Sequence, residues 1–138
     1  MGDTIRKVDY FHIEVSNKAG EGARVLSTIR EAGVNLLAFS GFPLSAKKAQ
    51  IDFVPEDTES FKKAAKKAGL KLSAKKTGFL IQGSDRVGAV AEILSELSAA
   101  QINVTAIDAV TAGAGRYAAI FWVAPSDVKK TAKALGAF

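Results

Sequence analysis

The sequence contains an internal repeat, and this repeat limits the possible folds more than any other feature of the chain. A displacement of 68 positions aligns Asn17-Lys18-Ala19-Gly20 with Asp85-Arg86-Val87-Gly88, and it also aligns Val34-Asn35-Leu36 with Ile102-Asn103-Val104. The register is kept over the 20 positions from residue 17 to residue 36. Two copies of one structural unit explain this better than chance, so we predict two domains, residues 1–76 and residues 77–138.

Along each copy, the spacing of the apolar residues changes in the same order. Alternating apolar residues predict strands, whereas apolar residues spaced three and four apart predict amphipathic helices. The order predicts an α+β fold of two tandem ferredoxin-like βαββαβ units, each with an antiparallel sheet and both helices on one face. The predicted strands are residues 10–15, 35–42 and 47–54, then 77–82, 103–111 and 116–124; the first helix of each copy is predicted at residues 22–32 and 90–100.

The two copies differ in their fourth strand. Only the first copy has room for one, which we predict at residues 70–75. The second copy reaches Phe138 without such a strand, and a missing edge strand leaves the backbone groups of its neighbour unpaired. One candidate to fill the position is the segment of residues 4–8, which contains Ile5 and Val8, from the same chain or from a neighbouring one.

Local signals mark the ends of the helices. Gly33 lies where a left-handed residue closes the first helix, and Gln101 holds the equivalent position in the second copy. Asp57 or Thr58 is predicted to cap the second helix of the first copy. Ser126 is predicted to cap the corresponding helix of the second copy.

The composition excludes several classes of active site. The chain has no cysteine and one histidine, His12, which removes thiolate nucleophiles, sulfur-based zinc sites and most histidine-dependent catalysis. No pair of carboxylates suggests acid–base chemistry. We therefore expect no enzyme activity, no metal and no cofactor. The sequence also lacks both a run of about 18 apolar residues and the apolar core of a signal peptide, which predicts a soluble, cytoplasmic protein without membrane contact.

The positive charge of the chain is local. The net charge is +5, and seven lysines lie between Lys62 and Lys76 with no acidic residue among them. We interpret this run as the solvated face of a helix and of the strand after it. Binding of nucleic acid or of a phosphate-rich surface is the alternative, although no aromatic residue lies among the lysines to stack on a base. A purely structural partner that pairs through its sheets is a further alternative.

The second copy resembles the ACT domain family. Asp85-Arg86-Val87-Gly88, an amphipathic helix and Gln101-Ile102-Asn103-Val104 are similar to that family's Asp-Arg-Pro-Gly loop, helix and Gly-Ile-Asn-Ile strand opening. The first copy matches more loosely, and Ala19 and Val87 stand where the loop proline would be. The resemblance implies a free-standing tandem of sensing modules that bind amino acids, regulate a partner enzyme and pair through their second strands as a homodimer.

The first loop of each copy has the chemistry of a carboxylate site. Its glycine lets a ligand approach the backbone, and the helix after it offers unpaired amide groups and a partial positive charge. The polar side chains beside it can orient an ammonium group, but each can equally only cap a helix or end a turn. The candidate ligand-binding residues are Asn17, Lys18, Ala19, Gly20, Asn35, Leu36, Asp85, Arg86, Val87, Gly88, Asn103 and Val104.

The last predicted strand of the second copy is apolar on both faces. Its residues 117–123 include Ile120 and Trp122 on the face away from the helices. A bare apolar patch of that size is unusual on a monomer, and aromatic anchors concentrate at protein interfaces. We therefore expect Ile120 and Trp122 to lie at a protein interface rather than at a ligand.

Overall fold

The computed structural model describes residues 2–138, and within them it has six strands, four α-helices and a short 3-10 turn at Pro125–Asp127. None of the helices among these residues is long and apolar enough to cross a membrane. The strands are β1 (Thr4–Ser16), β2 (Leu36–Pro43), β3 (Lys48–Pro55), β4 (Lys76–Ser84), β5 (Val104–Gly113) and β6 (Arg116–Val123). The helices are α1 (Glu21–Glu31), α2 (Thr58–Lys67), α3 (Ala89–Ala99) and α4 (Val128–Leu135).

The chain divides into two compact units. One unit is Asp9–Lys76, and the other comprises the residues up to Val8 together with Thr77–Phe138. Each unit carries helices on one face of an antiparallel sheet, so the predicted α+β fold of tandem ferredoxin-like units is confirmed. The chain crosses between the units twice, within β1 and at the start of β4.

The sheet of the unit formed by Asp9–Lys76 has the strand order β2-β3-β1, with antiparallel pairs. Phe53 of β3 lies opposite Phe11 of β1, and both rings contact Phe61 of α2 at centroid distances of 5.2 and 5.5 Å. Val25 and Ile29 of α1 complete the core. The apolar side chains that alternate along the strands thus pack against the apolar side chains spaced along α1 in one buried core.

The fourth strand predicted at residues 70–75 is not formed. The segment lies along β1, where the amide of Ser73 donates to the carbonyl of His12 at 2.9 Å and the amide of His12 donates to Ser73 Oγ at 3.0 Å. Leu70 and Leu72 pack against the core. A side-chain oxygen thus takes the place of a backbone acceptor, which interrupts the ladder that a regular strand would make.

The sheet of the other unit has the order β1-β4-β6-β5, and its core includes the stacked rings of Phe79 and Phe121, 5.2 Å apart. The place of its fourth strand, beside β4, is taken by β1, whose Ile5 is buried in this core. The amide of Lys7 donates to the carbonyl of Phe138 at 2.8 Å, and the amide of Phe138 donates to the carbonyl of Ile5 at 3.3 Å. The first residues of the chain therefore complete the second copy.

Of the four helix ends predicted from the sequence, the structure agrees with three and differs from one. Asp57 caps α2 by accepting the amides of Glu59 and Ser60, and Gly33 has a φ of 75° after α1. Gln101 has a φ of 59° after α3, in the same left-handed region. The prediction of a cap at Ser126 is wrong. Ser126 lies inside the 3-10 turn, Asp127 holds the cap position of α4, and no side-chain cap bond forms.

Candidate functional site

The first loop of the second copy connects β4 to α3. The amide of Asp85 donates to the carbonyl of Gly115 at 2.8 Å, which fixes the loop to the turn between β5 and β6. Gly88 is the N-cap residue of α3 with a φ of 79°, and no side chain caps the helix. The amide of Ala89 donates to the carbonyl of Arg86 at 3.3 Å. The amides of Val90 and Ala91, in the first turn of α3, have no partner within the helix, so they are available to an anion.

A cleft of about 280 Å³ opens at this loop. Asp85, Arg86 and residues 88–91 line it from the loop and the first turn of α3, and residues 109–111 line it from β5. Tyr117 of β6 also lines it. The structure therefore brings the first loop and the second strand of one copy together around a space that can hold a small molecule.

The side chain of Arg86 belongs to an ionic cluster beside this cleft. Its guanidinium donates to both carboxylate oxygens of Asp3, at 3.2 and 3.3 Å, and to Glu92 Oε2 at 2.6 Å. Tyr117 donates its hydroxyl proton to Asp3 at 2.8 Å. The Asp3 side chain is only 6% exposed, and it fits there because Gly83 has no side chain, since a Cβ at that position would collide with the carboxylate.

The contacts within this cluster shift the pKa values of Asp3 and Tyr117. Burial alone would raise the pKa of Asp3, but hydrogen bonds from Arg86 and Tyr117 outweigh it and leave that pKa below its ordinary value. Burial and the hydrogen bond to Asp3 raise the pKa of Tyr117 to about 12. Asp3 is therefore ionised and Tyr117 neutral at neutral pH, which is the arrangement that their hydrogen bond requires.

Sequence reasoning missed Asp3, Glu92 and Tyr117 as neighbours of the loop. Asp3 is separated from Arg86 by 83 positions and from Tyr117 by 114 positions. No periodicity or spacing indicates that contact, because it depends on β1 lying beside β4. The contact of Asp3 with the loop becomes visible only once the first residues of the chain are placed in the unit of the second copy.

The first loop of the first copy has a different environment. Gly20 is the N-cap residue of α1 with a φ of 91°, and it follows the exposed Lys18 and Ala19. The side-chain amide of Asn17 donates to the carbonyl of Ser45 at 3.1 Å, and the backbone amide of Asn17 donates to Lys47. Asn17 therefore ties its loop to the β2–β3 turn and does not cap α1.

The remaining predicted ligand residues lie at the opposite end of each helix. Asn35 and Leu36 line a cleft of about 420 Å³ at the C-terminal end of α1, and Asn103 and Val104 line an equivalent cleft of about 420 Å³ beside α3. An 11-residue helix such as α3 is about 16 Å long, so the loop cleft and these clefts are separate within one unit. The Asn35 side chain also lies 3.4 Å from Glu56 Oε2.

The predicted interface residues lie on the sheet face that the helices leave uncovered. Ile120 and Trp122 of β6 are half-buried, whereas their neighbours Ala119, Phe121 and Val123 point into the core. Ile120 and Trp122 therefore occupy the predicted face of the sheet, the one away from the helices. Their role at an interface stays a prediction.

Solved structures share this fold across nearly the whole chain. Protein BT0572 from Bacteroides thetaiotaomicron aligns with a TM-score of 0.82 at 20% identity, covering 96% of this chain and 88% of the other. The regulatory subunit of aspartate kinase from Thermus thermophilus, in a ligand-free form, aligns with a TM-score of 0.68 at 13% identity, covering 99% and 95%. The equivalent subunit from Thermus flavus gives 0.63 at 17% identity, with coverage of 99% and 95%. Neither the family models nor the curated proteins compared with the sequence gave a match.

Proposed function

We propose that the chain is a regulatory module that binds an amino acid or a similar small carboxylate and controls a partner enzyme, with no catalytic activity of its own. The observation that carries the proposal is the cleft between the loop of Asp85–Gly88 and the second strand β5. The tandem fold that the chain shares with the regulatory subunits of aspartate kinase from Thermus thermophilus and Thermus flavus supports the proposal.

The chemistry of the cleft suits an amino acid. The uncapped start of α3 offers backbone amides and a partial positive charge to a carboxylate. The Asp85 carboxylate can accept hydrogen bonds from an ammonium group, and the Thr111 hydroxyl can donate or accept. Arg86 has a different part in this arrangement. Because it binds Asp3 and Glu92, it positions the loop, while the helix amides take the ligand carboxylate.

We place the ligand in the second copy. In the first copy, the side chain of Asn17 is already bonded to the β2–β3 turn. In the second copy, Asp85 bonds to Gly115 through its backbone amide, so the Asp85 carboxylate is left for a ligand. The clefts of Asn35 and Asn103 lie at the far ends of α1 and α3, so we assign them no part in this site.

Melting temperatures measured with each of the twenty amino acids test the proposal, because a ligand that binds only the folded state stabilises it. We expect at least one amino acid to raise the melting temperature. Asp85→Ala should reduce that shift, since alanine keeps the backbone bond to Gly115 but removes the ammonium acceptor. Asn17→Ala at the equivalent position of the first copy is the matched control and should leave the shift intact. If no amino acid stabilises the protein, or if only Asn17→Ala removes the effect, the proposed site is wrong.

The resemblance also implies a homodimer formed through second strands. β2 and β5 are edge strands of their sheets, and they expose Phe39, Phe42 and Val110, of which Val110 is 68% exposed. Exposed edges with apolar side chains favour pairing with another strand. We propose self-association at these edges, and light scattering that gives the mass of a monomer at high concentration would contradict it.

A further inference from the structure

The unit of residues 9–76 contains a second cleft, which is unrelated to the loop of Asp85–Gly88. It has a volume of about 550 Å³ and lies between α2 and the segment of residues 70–75. Small-molecule sites typically have volumes of about 300–1,000 Å³, so the cleft is large enough for one. The cleft lies beside the segment that takes the place of a regular fourth strand, which Ser73 ties to His12 of β1.

The floor of this cleft is apolar. Leu70 and Leu72 are partly exposed there and pack against the core, with the buried ring of Phe11 beneath them. The alkyl stems of the neighbouring lysines extend the apolar wall, because a long charged side chain keeps only its head group in water. The floor can therefore bind the hydrocarbon part of a ligand.

The rim of the cleft is positively charged. Lys62, Lys63 and Lys66 of α2 and Lys75 line it together with one acidic residue, Glu59, which gives a net charge of +3. Lys62 approaches Glu59 at 3.9 Å, and no salt bridge to Lys66 or Lys75 occurs among residues 2–138. The rim thus concentrates unneutralised positive charge next to an apolar surface, which complements an anion that carries a hydrophobic body.

We propose that this cleft binds a small organic anion with an apolar body, with its carboxylate, phosphate or sulfonate at the lysines and its hydrocarbon part on Leu70 and Leu72. A single-stranded nucleic acid fits less well. Sequence-tolerant binding of bases needs exposed aromatic faces, and the one ring at this cleft, that of Phe11, is only 2% exposed. The proposal does not depend on the loop cleft, because every residue it uses lies within Asp9–Lys76.

Fluorescence titration with 1-anilinonaphthalene-8-sulfonate tests the proposal, with the uncharged N-phenyl-1-naphthylamine as the matched probe. We expect saturable binding of the sulfonate and weaker binding of the neutral probe. Lys63→Gln combined with Lys66→Gln should weaken sulfonate binding roughly fivefold, the effect of two partly screened charges, and leave the neutral probe unchanged. Lys129→Gln combined with Lys130→Gln removes the same charge from exposed positions of α4 and should leave both titrations unchanged.

Four outcomes of the binding experiments would overturn the inference. They are the absence of saturable sulfonate binding, equal affinity for the two probes, an equal loss in the α4 control variant, and tight binding of a single-stranded oligonucleotide that displaces the sulfonate. Amide chemical shifts locate the bound probe independently of the variants. Shifts at Leu70 and Leu72 support the proposal, whereas shifts confined to Asp85–Gly88 move the probe to the other site and contradict it.

Discussion

The two copies close their first helices with the same backbone geometry but with different residues. Gly33 follows α1 with a φ of 75°, and Gln101 follows α3 with a φ of 59°. Both positions are exposed, and a Cβ at Gly33 would meet no atom within 4 Å. The difference between the copies is therefore conformational, because a left-handed backbone costs an ordinary residue roughly 1–2 kcal/mol and glycine almost nothing.

We expect Gln101→Gly to raise the free energy of unfolding by about 0.5–1 kcal/mol, because the relief of the left-handed backbone exceeds the extra freedom that glycine gives the unfolded chain. Gly33→Gln should lower it by a similar amount. Urea unfolding at pH 7 measures both values. A loss of stability in Gln101→Gly would show that the glutamine side chain makes a contact worth more than the backbone strain.

Among the elements of the fold, the loop between β4 and α3 is held by side chains from three separate parts of the chain. Arg86 of the loop contacts Asp3, which precedes β1, and Glu92 of α3, while Tyr117 of β6 donates to Asp3. The depressed pKa of Asp3 means that the folded state favours its ionised form. That stabilisation is fully present above the ordinary pKa of an aspartate and is lost as the pH falls through the lower pKa of the folded state.

The variant Asp3→Asn should therefore be less stable than the unmodified protein at pH 7, and the difference should shrink as the pH falls below about 4. The asparagine keeps the size of the side chain but carries no charge for Arg86. Unfolding followed by Trp122 fluorescence at pH 7 and pH 3 measures the effect. Asp108→Asn, at an exposed position of β5, is the matched control, and an equal pH effect in that variant would rule out the cluster as the cause.

At the scale of the whole molecule, β1 serves both units. Its residues up to Val8 belong with the second copy, and those from Asp9 belong with the first. Ile5 is 8% exposed within the core that contains Phe79 and Phe121. The second copy thus takes its fourth strand from a part of the sequence that precedes the first copy, and its stability depends on those residues.

Ile5→Ser should lower the free energy of unfolding by about 2–4 kcal/mol, because it removes a buried aliphatic side chain and buries a hydroxyl. Lys7→Ser, two positions along the same strand and exposed, should change it by less than about 0.5 kcal/mol. Denaturation followed by Trp122 fluorescence, which reports on this unit, compares the two. Equal stability of Ile5→Ser and the unmodified protein would contradict the placement of β1 beside β4.

The repeat, the order of the elements and the fold class follow from local sequence patterns, because they depend on periodicity and on glycine and capping positions within each short stretch of chain. The strand bounds differ from the predicted ones by only a few residues except in β1, whose first six residues carry no strong alternation. The failed cap at Ser126 and the missing strand at residues 70–75 are local errors, in which a 3-10 turn and a side-chain hydrogen bond replaced the expected backbone pattern.

Which residues share a site depends on the tertiary structure. It placed Asp3 at Arg86, separated Asn103 from the loop by the length of α3, and joined the lysines of α2 to Leu70 and Leu72 in one cleft. Such contacts join residues far apart along the chain, and the spacing of residues in the sequence does not predict them. They exist because strand pairing is set by the whole core, so the fold both grouped the residues that the sequence indicated and added Asp3, Glu92 and Tyr117 to them.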